Sequence, residues 1–164
     1  MSEDATLMNT EDLGIDQPPE EVKLSRWVTF RLADETYGIN VTQTQEVLRV
    51  TEIAPVPGAP PFVLGIINLR GNVVTVIDMH LRLGLPPKEI DEASRIVILE
   101  GENDEVAGIL VDSIAEVVEL NELNIESAPN TGQNPHGDLI SGVIHQEGEL
   151  IILLDPQKLL AEHG

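Results

Sequence analysis

The 164-residue chain contains no cysteine. It therefore has no disulfide, no thiolate nucleophile and no sulfur ligand for a metal. Aromatic side chains are confined to Trp27, Phe30, Tyr37 and Phe62, so a core must be built from Val, Ile and Leu. Basic residues are scarce too: nine Lys and Arg stand against 29 Asp and Glu, a formal net charge of -20. Such a charge is repelled by phosphate backbones and by anionic lipid, and no nucleic acid partner is expected. No apolar run approaches the roughly 18 residues of a membrane span. Met1 is followed by Glu3 and Asp4 rather than by a basic and then an apolar segment, so no export signal is expected. With cysteine absent as well, the expected compartment is the cytoplasm.

What the chain does have is a repeat. Gly65 to Asp78 (GIINLRGNVVTVID) returns 77 positions later as Gly142 to Asp155 (GVIHQEGELIILLD), and Gly38 to Ile53 returns 70 positions later as Gly108 to Leu123. Within the second pair Gly38 matches Gly108, Glu46 matches Glu116 and Val47 matches Val117. The blocks keep the same order. Each copy is too small to bury a good core alone, so it is expected to pack against its twin. Two related halves follow, about 25–93 and 94–164, behind an acidic segment 1–24.

That first segment holds Glu3, Asp4, Glu11, Asp12, Asp16, Glu20 and Glu21, a Pro18-Pro19 break and only Lys23 as a base. It buries too little apolar surface to offset ordering entropy and is read as a flexible tail. Beyond it the pattern changes to short apolar runs between turn residues. Trp27 to Leu32 and Tyr37 to Val41 flank a turn at Asp34-Glu35, and Ile96 to Leu99 with Val106 to Val111 repeat that hairpin. The following stretches with Glu46-Val47 and Glu116-Val117 fit either a strand with a bend or a helical turn. Ala54 to Pro61 carries four prolines and a glycine and reads as a linker. Ile66 to Leu69 and Val73 to Ile77 then enclose Arg70-Gly71, where glycine supplies the positive φ of a tight hairpin; Glu147-Gly148 holds that place in the second half. Ile67 and Ile144 are the same position of the repeated strand and are expected to face a core. Pro156 at a first helical position, with Leu159 and Leu160 on one face, predicts a C-terminal helix. The whole reads as all-β, with barrels favoured because closure removes exposed edges.

Chemistry-bearing patterns are sparse. His80, His136, His145 and His163 lack metal-ligand spacing, and no nucleophile elbow, phosphate loop or dinucleotide fingerprint is present. Asp78 and Asp155 recur at one place in both halves, which suits helix or turn caps rather than catalysis. No catalytic residue, metal ligand or cofactor is expected. The informative disagreement between the halves is Asn68-Leu69-Arg70-Gly71 against His145-Gln146-Glu147-Gly148. A fold needs the glycine in both; it does not need the arginine. Thr42 to Gln45 (TQTQ) is likewise more polar than Asp112 to Ala115 and suggests a contact surface.

Tyr37-Gly38-Ile39, Gln45-Glu46-Val47, Pro55 to Pro57, Phe62 with Gly65 to Gly71, Val76-Ile77-Asp78 and Gly108 to Asp112 together resemble the CheW-like chemotaxis coupling proteins, over about residues 25–161. The resemblance implies two packed five-stranded SH3-like barrels with short helical segments, and no enzymatic activity. It implies an adaptor between the cytoplasmic tips of methyl-accepting receptors and the regulatory domain of a CheA-type histidine kinase, recruited to membrane-associated arrays without inserting in the membrane. Carried over from the family, the receptor-binding residues are Arg70, Glu46, Thr44 and Val47, with Asn68 and Gly71 shaping the turn and Gly108 allowing close approach. Thr44 departs from the family, where that place is often aliphatic. The alternatives are a CheW-like scaffold of another pathway, with pili or another output, and a small-ligand-binding β-barrel, which would need inward polar groups that these apolar strands scarcely provide.

Overall fold

A computed structural model of the chain describes residues 22–127 and 139–161. The expected tail lies outside them as far as residue 21. Its last residues do not: the first strand, β1 (Leu24–Leu32), pairs Leu24 with Asn121, and the Lys23 N–H donates to Asn121 Oδ1. The nine-residue partner strand offers backbone groups that far along, so pairing continues past the point where the apolar pattern stops.

The remaining elements are β2 (Glu35–Asn40), β3 (Thr44–Arg49), β4 (Val63–Leu69), β5 (Asn72–Asp78), α1 (Met79–Arg82), β6 (Arg95–Glu100), β7 (Val106–Val111), β8 (Ser113–Asn121), β9 (Ile140–Gln146), β10 (Glu149–Leu154) and α2 (Pro156–Ala161). The two Glu-Val stretches lie in strands β3 and β8. A 3-10 turn at Val41–Gln43 precedes β3, capped where the Asn40 side chain accepts the Thr42 N–H. Asp78 caps α1 by accepting the backbone N–H groups of His80 and Leu81, and Asp155 accepts that of Gln157 at the start of α2, as the repeated aspartates suggested.

Two five-stranded sheets form, in the orders β8-β1-β2-β10-β9 and β3-β6-β7-β5-β4. The halves read from the sequence do not coincide with them. Each sheet takes the first hairpin of one half (β1-β2 or β6-β7) and the last three strands of the other. The joints are the parallel pairs β2 with β10 and β7 with β5. If β1 to β5 are matched with β6 to β10, the two orders are identical, so the molecule has an internal pseudo-twofold in which the halves have exchanged hairpins. Neither half can complete a sheet without its twin.

Period-two alternation then supplies three cores. Ile96 and Ile98 face the interior of their own barrel with Ile67, Val74, Val76 and Leu110, while Val97 and Leu99 face the opposite way. There they meet Phe30, Leu32, Tyr37 and Ile39 from the other sheet, with Ile77, Ile109 and Leu159, in a core shared by both barrels. The interior of the first barrel holds Trp27, Leu120, Ile144, Ile151 and Leu153. Ile67 and Ile144 are both buried, as their matched positions predict. The few aromatics are placed centrally: Phe30 and Tyr37 are cross-strand partners with ring centroids 6.2 Å apart.

Candidate functional site

Of the expected site residues, all but Gly108 gather at one seam. β3 and β4 end opposite edges of the second sheet, yet Arg70, in the turn between β4 and β5, reaches Glu46 on β3. The sheet is rolled until its two edges approach, and this ion pair bridges them. The guanidinium meets the carboxylate as a fork, with Nη1 3.3 Å from Oε1 and Nη2 on Oε2. The β3 ladder carries a bulge between Thr44 and Glu46, which leaves an extra residue unpaired and redirects the strand at this point.

The turn is built from its own sequence. Leu69 pairs with Asn72, leaving two loop residues, and both are left-handed: Arg70 at φ 51 and Gly71 at φ 87. This is the backbone of a type I′ hairpin turn, whose twist matches that of the strands. The sequence reading assigned positive φ to the glycine alone; the arginine adopts it as well. Asn68 supports the turn by accepting the Gly71 N–H at 2.9 Å. The twin turn repeats the geometry, with Glu147 at φ 52 and Gly148 at φ 81.

The fork holds the Glu46 carboxyl below the usual glutamate range, chiefly by the hydrogen bond from Arg70, and Arg70 is correspondingly raised. The pair is nonetheless open to solvent, the Arg70 side chain being 66% exposed. At the matching seam of the first barrel the two positions are Glu116 and Glu147, two carboxylates and no fork. They line a cleft of about 350 Å³ with Glu119 and Glu149, and among the described residues only Glu149 has a cation, Arg31 at 3.3 Å.

Around Arg70 a shallow groove of about 430 Å³ is lined by Gln45, Leu69, Asn72, Val73 and Asp104. Val73 is 69% exposed and Val47 41%, so apolar surface flanks the charge. Val73 was missed in the sequence reading, although two consecutive valines in an alternating strand require one to face outward. Thr44 lies half-buried on the same strand, and its hydroxyl donates to the Val41 carbonyl at 2.9 Å. Gly108 is not part of this surface. It is buried in β7, where an added Cβ would stand 2.8 Å from Ile96 Cγ2 and 3.3 Å from Ile98 Cδ1. Its missing side chain accommodates the barrel core, not an incoming molecule.

One buried polar knot was not foreseen. His80 Nδ1 lies 2.7 Å from the Pro86 carbonyl and Nε2 2.8 Å from Asp112 Oδ1, while Asp112 Oδ2 accepts the Ala33 N–H. It ties α1 and its loop to the β7-β8 junction and the β1-β2 turn. Among the described residues no group of three or more His, Asp or Glu is placed to hold a metal.

Against known proteins, the CheW-like domain matches residues 26–163. The chain belongs to the CheW-like family. It is 36% identical over 135 residues to the chemotaxis protein CheW of Bacillus subtilis, covering 82% of this chain and 86% of that protein. It is 33% identical over 138 residues to the chemotaxis protein CheW of Treponema pallidum, covering 82% and 81%. The crystal structure of the scaffolding protein TtCheW from Thermoanaerobacter tengcongensis superposes with a TM-score of 0.75 at 32% identity, covering 81% of this chain and 90% of that one. The two five-stranded sheets thus belong to a CheW-like fold, and no helix among the described residues is long and apolar enough to cross a membrane.

Proposed function

We propose that this chain is a non-enzymatic adaptor of chemotaxis signalling, which couples the cytoplasmic tips of methyl-accepting receptors to the regulatory domain of a CheA-type histidine kinase. It works in the cytoplasm, recruited to receptor arrays at the membrane. The relatives' description as chemotaxis and scaffolding proteins supports the class of function. The observation that carries the reading to particular residues is the contrast between the two seams. A pseudo-twofold scaffold offers the same turn twice, and only one copy has an arginine forked onto a glutamate and flanked by exposed Val47 and Val73. A planar five-donor head on a preformed turn suits a hydrogen-bonding anchor at the centre of an interface.

Receptor contact is accordingly assigned to Arg70, Glu46, Val47 and Thr44, with Asn68 and Gly71 holding the turn. The test is reconstitution. Receptor signalling fragments and kinase are mixed with and without this chain, and sedimentable complex and kinase autophosphorylation are measured. The adaptor reading requires that receptor and kinase co-sediment only when the chain is present. Co-sedimentation that is the same without it would overturn the reading.

A further inference from the structure

The pseudo-twofold builds the groove around Arg70 a second time, at the seam of the first barrel, and gives it the opposite charge. Under the repeat Glu147 takes the place of Arg70, Glu149 that of Asn72, Ile151 that of Val74 and Thr36 that of Val106, and all four line the second cleft. Glu116 and Glu119 of β8 complete its rim, Ala115 and Val118 add apolar wall, and no Lys or Arg lines it. Two cations stand nearby: Arg31 pairs with Glu149, and Arg26 is the cross-strand neighbour of Glu119. Among the described residues no ion pair reaches Glu116 or Glu147, the positions whose equivalents form the fork. The acids are nonetheless held in place by two buried threonines. Thr29, at the β1 bulge, donates its hydroxyl to the Glu116 carbonyl and accepts the Glu116 N–H at 3.0 Å. The Thr36 hydroxyl donates to the Glu149 carboxylate. The apolar flanks are duplicated too, Val117 (57% exposed) and Leu150 (37%) standing where Val47 and Val73 stand at the other seam.

We infer that this cleft is a second docking surface, whose occupant is a segment of a partner protein that presents an arginine or lysine next to an aliphatic side chain. Charge complementarity selects the cation: Glu116 and Glu147 repel each other across the seam, and a cation between them turns that repulsion into attraction. The wall selects the aliphatic neighbour, because a bare cation would engage the rim and leave Ala115, Val118, Val117 and Leu150 uncovered. A second copy of this chain does not fit, since two molecules of net charge -20 repel. Acidic surface elsewhere on the molecule attracts any basic segment weakly and without register. Here the stem of an arginine or lysine has apolar surface to lie on, and carboxylates already fixed by Thr29 and Thr36 lower the ordering cost of binding. The inference does not rest on the receptor assignment. Together with that assignment it gives an adaptor whose two matched grooves grip partners of different local charge.

The probe is a short capped peptide of leucine, alanine and arginine, titrated at low salt into the isotope-labelled full-length chain while backbone amide shifts are followed by NMR. Shifts centred on Glu116, Glu119, Glu147 and Leu150 are expected. A control peptide with serine in place of leucine should bind at least about fivefold more weakly, because it forfeits the apolar contact. Glu147→Arg puts the twin's arginine into the same left-handed turn, where it can fork onto Glu116 and close the seam. Affinity for the leucine peptide should then fall about tenfold, one attraction being lost and one repulsion added at an exposed site. The amide spectrum of the variant reports whether it is folded, and the serine control on the unaltered chain is an independent readout. Shifts that are absent, centred elsewhere or spread over the whole acidic surface overturn the inference. So does equal binding of the serine peptide, which would mean attraction by charge alone, or a folded Glu147→Arg that binds within about twofold of wild type.

Discussion

Truncating Ile67 or Ile144 to alanine should destabilise the whole molecule, and by similar amounts. The two residues are 4% and 2% exposed and sit at matched positions of β4 and β9, one in each barrel interior. Removing about three carbons forfeits roughly 2.4 kcal/mol of transfer free energy at ~0.8 per methylene. The cavity left among Val74, Val76, Ile96, Ile98 and Leu110 raises this into the range of about 2–5 kcal/mol, against a total stability of some 5–15 kcal/mol. At about 2–4 °C per kcal/mol for a chain of this length, the melting temperature should fall by roughly 5–20 °C. Because each sheet combines strands of both halves, either variant should melt in one transition. Ile67→Asp or Ile144→Asp, with an unpaired carboxylate in the same place, should not fold at all. Circular dichroism and differential scanning calorimetry read this out. Two resolved transitions of which only one moves, or a fall below about 2 °C, would refute the argument from exchanged hairpins and shared core.

Gly108→Ala should cost about 1–3 kcal/mol by overpacking against Ile96, lowering the melting temperature while leaving receptor-tip affinity of the folded protein unchanged. Asp78→Ala and Asp155→Ala each remove a cap and should each cost about 1 kcal/mol, measurable by denaturant titration with an unchanged slope. The Arg70 fork depresses the Glu46 pKa, so its contribution to stability is fully present above the ordinary glutamate range and is lost as pH falls through the lowered folded-state value. Glu46 carboxyl chemical shifts should therefore titrate at a higher pH in Arg70→Gln than in the wild type, and coincident midpoints would count against the fork in solution.

Much of this architecture is legible in the residues, because alternation and turn chemistry are local. The hairpins, the buried faces of Ile67 and Ile144, the caps at Asp78 and Asp155 and the tight turn after Leu69 all follow from neighbours within a few positions. The hairpin exchange does not. When two halves carry nearly the same apolar pattern, a hairpin fits its own half and its twin's equally well, and only the three-dimensional closure selects between them. The knot of His80, Pro86, Asp112 and Ala33 is similarly silent, since its partners are far apart in sequence and none belongs to a recurrent motif. At the candidate site the contrast of Arg70 with Glu147 drew attention to the turn. Its fork onto Glu46 could not be read, because that contact exists only once the sheet has rolled its two edges together. Gly108 misled for a related reason: a glycine required for close packing inside a barrel looks, in sequence, like one required for close approach of a partner.

The most direct measurement is the affinity of Arg70→Glu for a receptor tip, titrated calorimetrically beside the wild type. The substitution recreates the carboxylate pair that the twin seam already tolerates at Glu116 and Glu147, with the same left-handed turn, so the fold should be intact by circular dichroism. If Arg70 anchors the receptor, binding should weaken roughly thirtyfold or more, the scale of a central interface arginine, while kinase binding by the soluble protein is largely retained. A folded variant that binds the receptor tip within about twofold of wild type, a difference of only a few tenths of a kcal/mol, would contradict the account and remove Arg70 from the site.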